Sequence, residues 1–136
     1  MIISRETDYA LRILRALSDG QQITTEEICK REVLPQQFVY KILKKMERAG
    51  YIQIIRGTNG GCRLITDLKN RSLFDLIEIM EADRKISACT QPGFECAWRL
   101  KNGTKCTVNN KLIQIQNVLD TELRAHSLHQ MLFEKD

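Results

Sequence analysis

No run of this sequence is apolar for long enough to cross a bilayer, and no secretory leader opens it, because Met1 to Thr7 is charged almost at once. These absences predict a cytoplasmic protein with no membrane partner. Thiols stay mostly reduced in that compartment, and an odd count of five cysteines pairs poorly, so a disulfide framework is disfavoured. The sequence shows no internal repeat, low-complexity tract, phosphate loop or catalytic constellation, which argues against an enzyme or an electron carrier. Histidine is scarce. His126 and His129 fall beyond the last long helical pattern and read as surface residues at a helix C-terminus, where a cation is favoured.

A length of 136 residues suits one domain with an extension that dimerises, and a 43% hydrophobic share suffices for a core. The net charge of +4 is modest but concentrated. Between Lys30 and Arg56 stand seven basic residues (Lys30, Arg31, Lys41, Lys44, Lys45, Arg48, Arg56) against two acids (Glu32, Glu47). That window carries about +5 and leaves about −1 for the rest, the local excess that a polyanion-binding face needs.

Periodicity predicts a helix from about Arg5 to Ser18, with Ala10, Ile13, Leu14 and Leu17 on one face and Gly20 past its end. Thr24 is a natural N-cap for a short second helix to about Arg31. Glu27 is placed to complete a capping box, and Ile23 to staple onto Ile28. After the turn Glu32-Val33-Leu34, Pro35 suits the first position of a third helix to Ala49. That helix sets Val39, Ile42, Leu43 and Met46 on one stripe, and Gly50 stops it. Tyr51 to Ile55 and Cys62 to Ile65 read as strands, joined by a segment whose Asn59-Gly60 pair is a strong hairpin signal.

Ser72 caps a further helix to about Glu81, and residues 84–105 read as irregular, punctuated by Ser87, Pro92, Gly93, Asn102, Gly103 and Thr104. A long helix follows from about Thr107 to Arg124. Leu112, Ile115, Leu119, Glu122 and Leu123 lie near one seam, for which an equivalent helix of a second subunit is the simplest partner. The expected fold is mainly α with a small β-hairpin wing. A winged helix-turn-helix spans 1–83, a cysteine-bearing loop 84–106, and a dimerisation helix with a C-terminal tail 107–136.

The third helix and the wing carry the chemistry for DNA. Side chains near the N-terminus of a groove-bound helix reach base edges, and here they are Gln36, Gln37 and Tyr40, with Lys41 beside them. Lys44, Lys45 and Arg48 lie further along and suit phosphates. Arg56 opens the wing and suits a minor groove, while Thr58 and Asn59 sit at its tip. A winged helix used only for protein contact is the competing reading, and the basic window argues against it.

At these residues the chain resembles the IscR/NsrR-type family of bacterial winged-helix transcription regulators, also called the Rrf-two family. The resemblance rests on Thr7 to Arg12, on Leu34-Pro35 through Ile42-Leu43, on Ala49 to Ile52 and on Arg56-Gly57 with Gly60-Gly61. Cys89, Cys96 and Cys106 before a long helix complete the pattern. The resemblance implies a homodimer with crossed long helices on a pseudo-palindromic double-stranded DNA operator. Several members of the family hold an iron–sulfur cluster through three cysteines and one other ligand, and others have none.

Thiolates suit iron–sulfur clusters, for which four ligands are usual. Cys89, Cys96 and Cys106 supply three, separated by six and nine residues, longer intervals than the resemblance suggests. No histidine follows Cys106. By the resemblance, Asp8 in the first helix of the opposite subunit is the fourth ligand, with Glu6 the nearby alternative. Cys62 reads as strand packing, Cys29 as a small buried residue, and Trp98 as either a shield or loop packing. The expected function is that of a homodimeric regulator, in repressor mode, gated by a cluster that senses nitric oxide, redox state or iron. The cluster type expected is [4Fe–4S] ahead of [2Fe–2S]. The alternative is a cluster-free regulator acting as a thiol switch or answering a metabolite or protein partner.

Overall fold

The computed structural model describes residues 3–103 and 105–135. Thr104, expected to help break the loop, lies outside the described residues, as do Met1, Ile2 and Asp136. Helix α1 (Arg5–Ala16) buries Ala10, Ile13 and Leu14. Helix α2 (Thr25–Glu32) starts where Thr24 Oγ1 accepts the Glu27 N–H at 3.1 Å. The expected reciprocal half of the capping box does not form. The Glu27 carboxylate instead accepts from Arg31 Nε, 3.0 Å away, because residues four apart face each other on a helix.

Val33 makes the turn in the left-handed conformation, φ 55° and ψ 57°. A β-branched residue is strained there by about 1–2 kcal/mol, and the turn holds because the Leu34 N–H bonds the Cys29 carbonyl at 3.0 Å. Pro35 falls one position outside its expected place. Its ψ is extended, 122°, so it is the cap residue and α3 (Gln36–Arg48) begins after it. Val39, Ile42, Leu43 and Met46 of α3 are buried against α1 and α2.

Strands β1 (Ile52–Ile55) and β2 (Gly61–Leu64) form the antiparallel wing, with Ile55 opposite Gly61. The reversal is centred one residue earlier than Asn59-Gly60. The Gly60 N–H bonds the Gly57 carbonyl at 3.0 Å, so Thr58 and Asn59 occupy the tip. Gly57 supplies the positive φ of 105°. A Cβ on Gly60 would lie 2.4 Å from the Ile55 carbonyl oxygen. Ile23 was expected only to staple α2, but it also pairs with the wing: its N–H and carbonyl exchange bonds of 2.9 and 2.7 Å with Cys62. Both side chains are buried in the core.

Leu68–Asn70 form a 3-10 turn, and α4 (Leu73–Met80) opens with a full capping box between Ser72 and Asp75. The segment read as irregular contains a 3-10 turn at Ala88–Thr90 and a short helix, α5 (Ala97–Asn102), which Gly103 ends at φ 61°. Cys29 is half-buried rather than buried. Helix α6 (Thr107–Ala125) matches the long helical pattern. No helix among the described residues is long and apolar enough to cross a membrane.

The segment after α6 is not a tail. Ser127 and Gln130 form a second capping box, and α7 (Leu128–Phe133) folds back onto the winged core. The Leu128 N–H bonds the Arg71 carbonyl at 2.7 Å, and the Leu73 N–H bonds the His126 carbonyl at 2.9 Å. His126 ends α6 as expected, whereas His129 lies near the start of α7, its ring 5.3 Å from Phe133. Leu128 is fully buried in the same core as Ala10 and Ile13. Leu128→Ala therefore lowers unfolding stability by about 2–5 kcal/mol in urea titration, although it lies far from the helix-turn-helix in sequence.

Candidate nucleic-acid interface and cysteine loop

Gln36, Tyr40 and Lys44 recur every fourth residue and line up on α3 facing the wing. With Arg56 and Thr58 they wall an open groove of roughly 510 Å³. Gln36 Nε2 donates to the Tyr40 hydroxyl at 3.2 Å, which joins the two polar groups nearest the start of α3. Gln37, Arg48 and Asn59 are exposed outside the groove wall. The wing tip is braced by Gln22, whose Nε2 donates to the Asn59 carbonyl at 2.7 Å. Gln22 carried no signal in the sequence, because its partner is a backbone atom 37 residues away.

The remaining two cations of α3 are engaged elsewhere. Lys45 Nζ donates to Glu6 Oε2 at 2.7 Å and to the Met80 carbonyl at 3.3 Å, and it is largely covered. Lys41 Nζ lies 2.9 Å from Glu6 Oε1 but stays mostly exposed. Glu6 is thus a clamp between α1 and α3. The Lys45 hydrogen bond, then that of Lys41, hold its carboxyl below the ordinary carboxylate range against the cost of burial. Glu81 stitches α1 to the end of α4, accepting from the Ser4 N–H at 2.8 Å and the Thr7 hydroxyl at 2.6 Å. Burial opposes its charge, yet those hydrogen bonds win and its pKa is lowered. Asp8 is half-exposed and, among the described residues, pairs with Arg12 at 3.1 Å. Glu6, the alternative ligand, is already committed to two lysines.

Each cysteine of the loop sits at the start of a helical turn. Cys89 Sγ lies 3.1 Å from the Ser87 hydroxyl. Cys96 is the cap residue of α5. Cys106 caps α6, its Sγ accepting the Asn109 N–H at 3.4 Å. The pKa of Cys89 is lowered by Ser87 and then by Asn109, against burial and the neighbouring Cys96. That of Cys96 is lowered chiefly by the Arg99 backbone N–H. Helix starts and their N–H groups favour thiolates. Asn109 also ties the segment together, its Nδ2 donating to the Cys89 carbonyl at 2.8 Å.

The five cysteines are free, and among the described residues no three Cys, His, Asp or Glu side chains gather closely enough to chelate an ion. The donor chemistry fits an iron–sulfur cluster nonetheless: three soft sulfurs in one loop, two of them with lowered pKa. Trp98 is 52% exposed, so it is not buried in the loop's packing. His126 is paired with Glu122 at 2.7 Å, and α6 separates it from Cys106 by about 28 Å at 1.5 Å per residue.

Helix α6 turns polar groups inward. Asn109, Gln116 and Asp120 are buried. Gln116 Oε1 accepts the Ile86 N–H at 2.8 Å, and its Nε2 donates to Asp120 Oδ1 at 2.8 Å. Arg84 and Lys85 lie 3.8 and 3.9 Å from Asp120, and Arg84 also pairs with Glu78 of α4 and covers the Phe74 ring. The opposite face is apolar: Val108 is 64% exposed, Ile115 56% and Val118 71%. The expected seam shifts accordingly. Val108 and Val118 join Ile115, which shares an apolar groove with Leu119 and Glu122 as expected, while Leu112 and Leu123 are half-buried.

This geometry defines a winged-helix protein with a basic reading helix, a braced wing and a thiol-bearing loop hung on a long helix. A family model described as Rrf2, iron-dependent transcriptional regulator, matches residues 3–134, and the chain belongs to that family. Such proteins are transcription regulators, not enzymes. It is 27% identical over 124 residues to the HTH-type transcriptional regulator NsrR of Bacillus subtilis (strain 168), covering 88% of this chain and 85% of that one. It is 30% identical over 95 residues to protein aau3 of Rhizobium meliloti (strain 1021), covering 68% of this chain and 62% of aau3, under two thirds of that relative. Among solved structures, CymR, the global cysteine regulator of B. subtilis, superimposes with a TM-score of 0.73 at 18% identity over 98% of both chains. IscR of T. potens gives 0.70 at 14%, over 96% of this chain and 85% of that one.

The Glu6 clamp has a pH signature. Its folded pKa lies below the ordinary 4.5, so its stabilising contribution is present above that value and is lost as pH falls through the folded pKa. Glu6→Gln is expected to lower the melting temperature at pH 7, with the gap to wild type closing as the pH drops below 4.5. A constant gap across that range would contradict the clamp.

Proposed function

We propose that this chain is a homodimeric repressor that grips a pseudo-palindromic DNA operator and is gated by an iron–sulfur cluster. In this reading α3 enters the major groove, with Gln36, Gln37 and Tyr40 at base edges. Lys41, Lys44 and Arg48 meet phosphates, Arg56 enters the minor groove, and Thr58 and Asn59 touch the flanking backbone. Lys45 serves the fold first, since Glu6 holds it. The exposed Val108, Ile115 and Val118 seam of α6 meets its copy in the second subunit. Cys89, Cys96 and Cys106 hold the cluster together with Asp8 of the partner subunit. That cluster would supply a redox- and nitric-oxide-sensitive link, weakest at the carboxylate because oxygen is a poor ligand for soft-site iron.

One observation carries the reading. The inward face of α6 holds the cysteine loop through Asn109 and Gln116, and reaches α4 of the winged domain through Arg84. Its outward face is the unpartnered apolar seam. A change at the cysteines therefore acts on the element that joins both halves of the dimer. Gating requires that the two states differ in DNA affinity. A cluster-free thiol switch is the second reading, favoured by two free cysteines of one loop, Cys89 and Cys96, whose pKa values are both lowered.

Anaerobic purification with iron and sulfide analysis separates the readings. Coloured protein that loses iron in Cys106→Ser, and in Asp8→Ala, and whose DNA affinity changes on cluster loss supports the first. Colourless protein whose DNA affinity changes on thiol oxidation supports the second. On DNA, Arg56→Ala is expected to weaken binding by about tenfold to a hundredfold, and Lys44→Ala to flatten the salt slope by about one unit. Lys45→Ala leaves that slope nearly unchanged and lowers thermal stability instead. Equal slopes for wild type and Lys44→Ala in a salt titration would remove Lys44 from the phosphate contacts.

A further inference from the structure

One cavity of the molecule lies away from both the reading helix and the cysteines. It lies at the base of the wing, where the end of α6 and the start of α7 meet the segment before α4, and it is an open cavity of roughly 710 Å³. Lys69, Arg71 and Arg124 line it, against a single carboxylate, Asp75. Asp75 is turned to its capping role, its Oδ2 accepting the Ser72 N–H at 2.8 Å. Among the described residues none of the three cations has a carboxylate partner within ion-pair distance, whereas Arg12, Arg15, Arg31, Lys41, Lys45, Arg84 and Lys85 all do.

The two arginines are also held in place. The Arg71 guanidinium lies 4.9 Å from the Tyr51 ring centroid, and its Nε donates to the Thr66 hydroxyl at 3.1 Å. The Arg124 guanidinium lies 3.8 Å from the Phe74 ring centroid. Aromatic faces fix these heads without neutralising them. Like charges crowded round one cavity repel one another, and a guanidinium fork matches a carboxylate or phosphate group. A positioned fork also loses less entropy on binding than a free side chain.

We propose that this cavity is a binding site for a small polyanion bearing carboxylate or phosphate groups. Lys69 and Arg71 belong to the winged domain, and Arg124 to the long helix. A ligand held by all three bridges the part that reads DNA and the part proposed to dimerise. The walls are already joined there by the Leu73–His126 and Leu128–Arg71 backbone bonds, so the ligand reinforces an existing seam. This site is independent of the cysteine loop and of any cluster.

The test uses the full chain, titrated calorimetrically with inorganic phosphate and with citrate, against sodium chloride at matched ionic strength. The double variant Lys69→Gln/Arg124→Gln is run in parallel, with circular dichroism to establish that it folds. Saturable binding of phosphate or of citrate, weakened about tenfold or more in the double variant, is the expected result, and the tighter of the two names the ligand class. Should the double variant not fold, Lys69→Gln alone, at an exposed position, serves in its place. Binding no stronger than that of chloride, or equal binding by a folded variant, overturns the proposal. So does a variant whose salt slope on duplex DNA falls, because the cations would then be phosphate contacts of the DNA interface.

Discussion

The amide of Gln116 binds in two directions at once, taking the Ile86 N–H on its oxygen and giving its own N–H to Asp120. Both residues are buried on α6, where an unmatched polar group costs about 1–3 kcal/mol, so the helix can dock in only one rotation. That rotation aims Asn109 at the Cys89 carbonyl and leaves Val108, Ile115 and Val118 in solvent. The cysteine loop, the proposed dimer seam and the link to α4 are therefore consequences of one buried hydrogen-bonded pair. An apolar inward face would have allowed the helix to slide or roll, since hydrophobic contact has no direction.

Charge is divided between two tasks on a single helix. Lys44 and Arg48 stay free in solvent, while Lys45 is drawn under Glu6 and the end of α4. Glu6 therefore sets the angle between α1 and α3, and with it the face that α3 presents. Lys41 stands between the two roles: its head touches Glu6, yet its stem and charge remain exposed. The wing is positioned by similar means. Gln22 and Ile23, from the loop ahead of α2, hold its tip and its strand β2, so the reading helix and the wing share one support.

Much of the fold was legible because its signals are local. The stripes of α1 and α3, the Thr24 and Ser72 caps and the glycines of the wing act within a few residues of themselves. The candidate site was legible in outline for the same reason: exposed cations on α3, an arginine at the wing and three cysteines ahead of a helix all stand in a row. What escaped was set by partners far along the chain. The pairing of Ile23 with Cys62, the return of α7 onto the core and the capture of Lys45 by Glu6 each join residues that no spacing rule relates.

The sequence by itself determined which segments are helical or extended, where the basic charge is concentrated and which residues have soft sulfur to offer. Those properties follow from periodicity, caps and side-chain chemistry, which need no knowledge of distant neighbours. Only the tertiary structure decided which lysine faces solvent, which face of α6 is inward, and which unpaired cations meet at the base of the wing. Each of those depends on long-range packing that brings together groups far apart along the chain, such as Ser4 and Glu81, which stand 77 residues apart, and burial then makes their pairing obligatory.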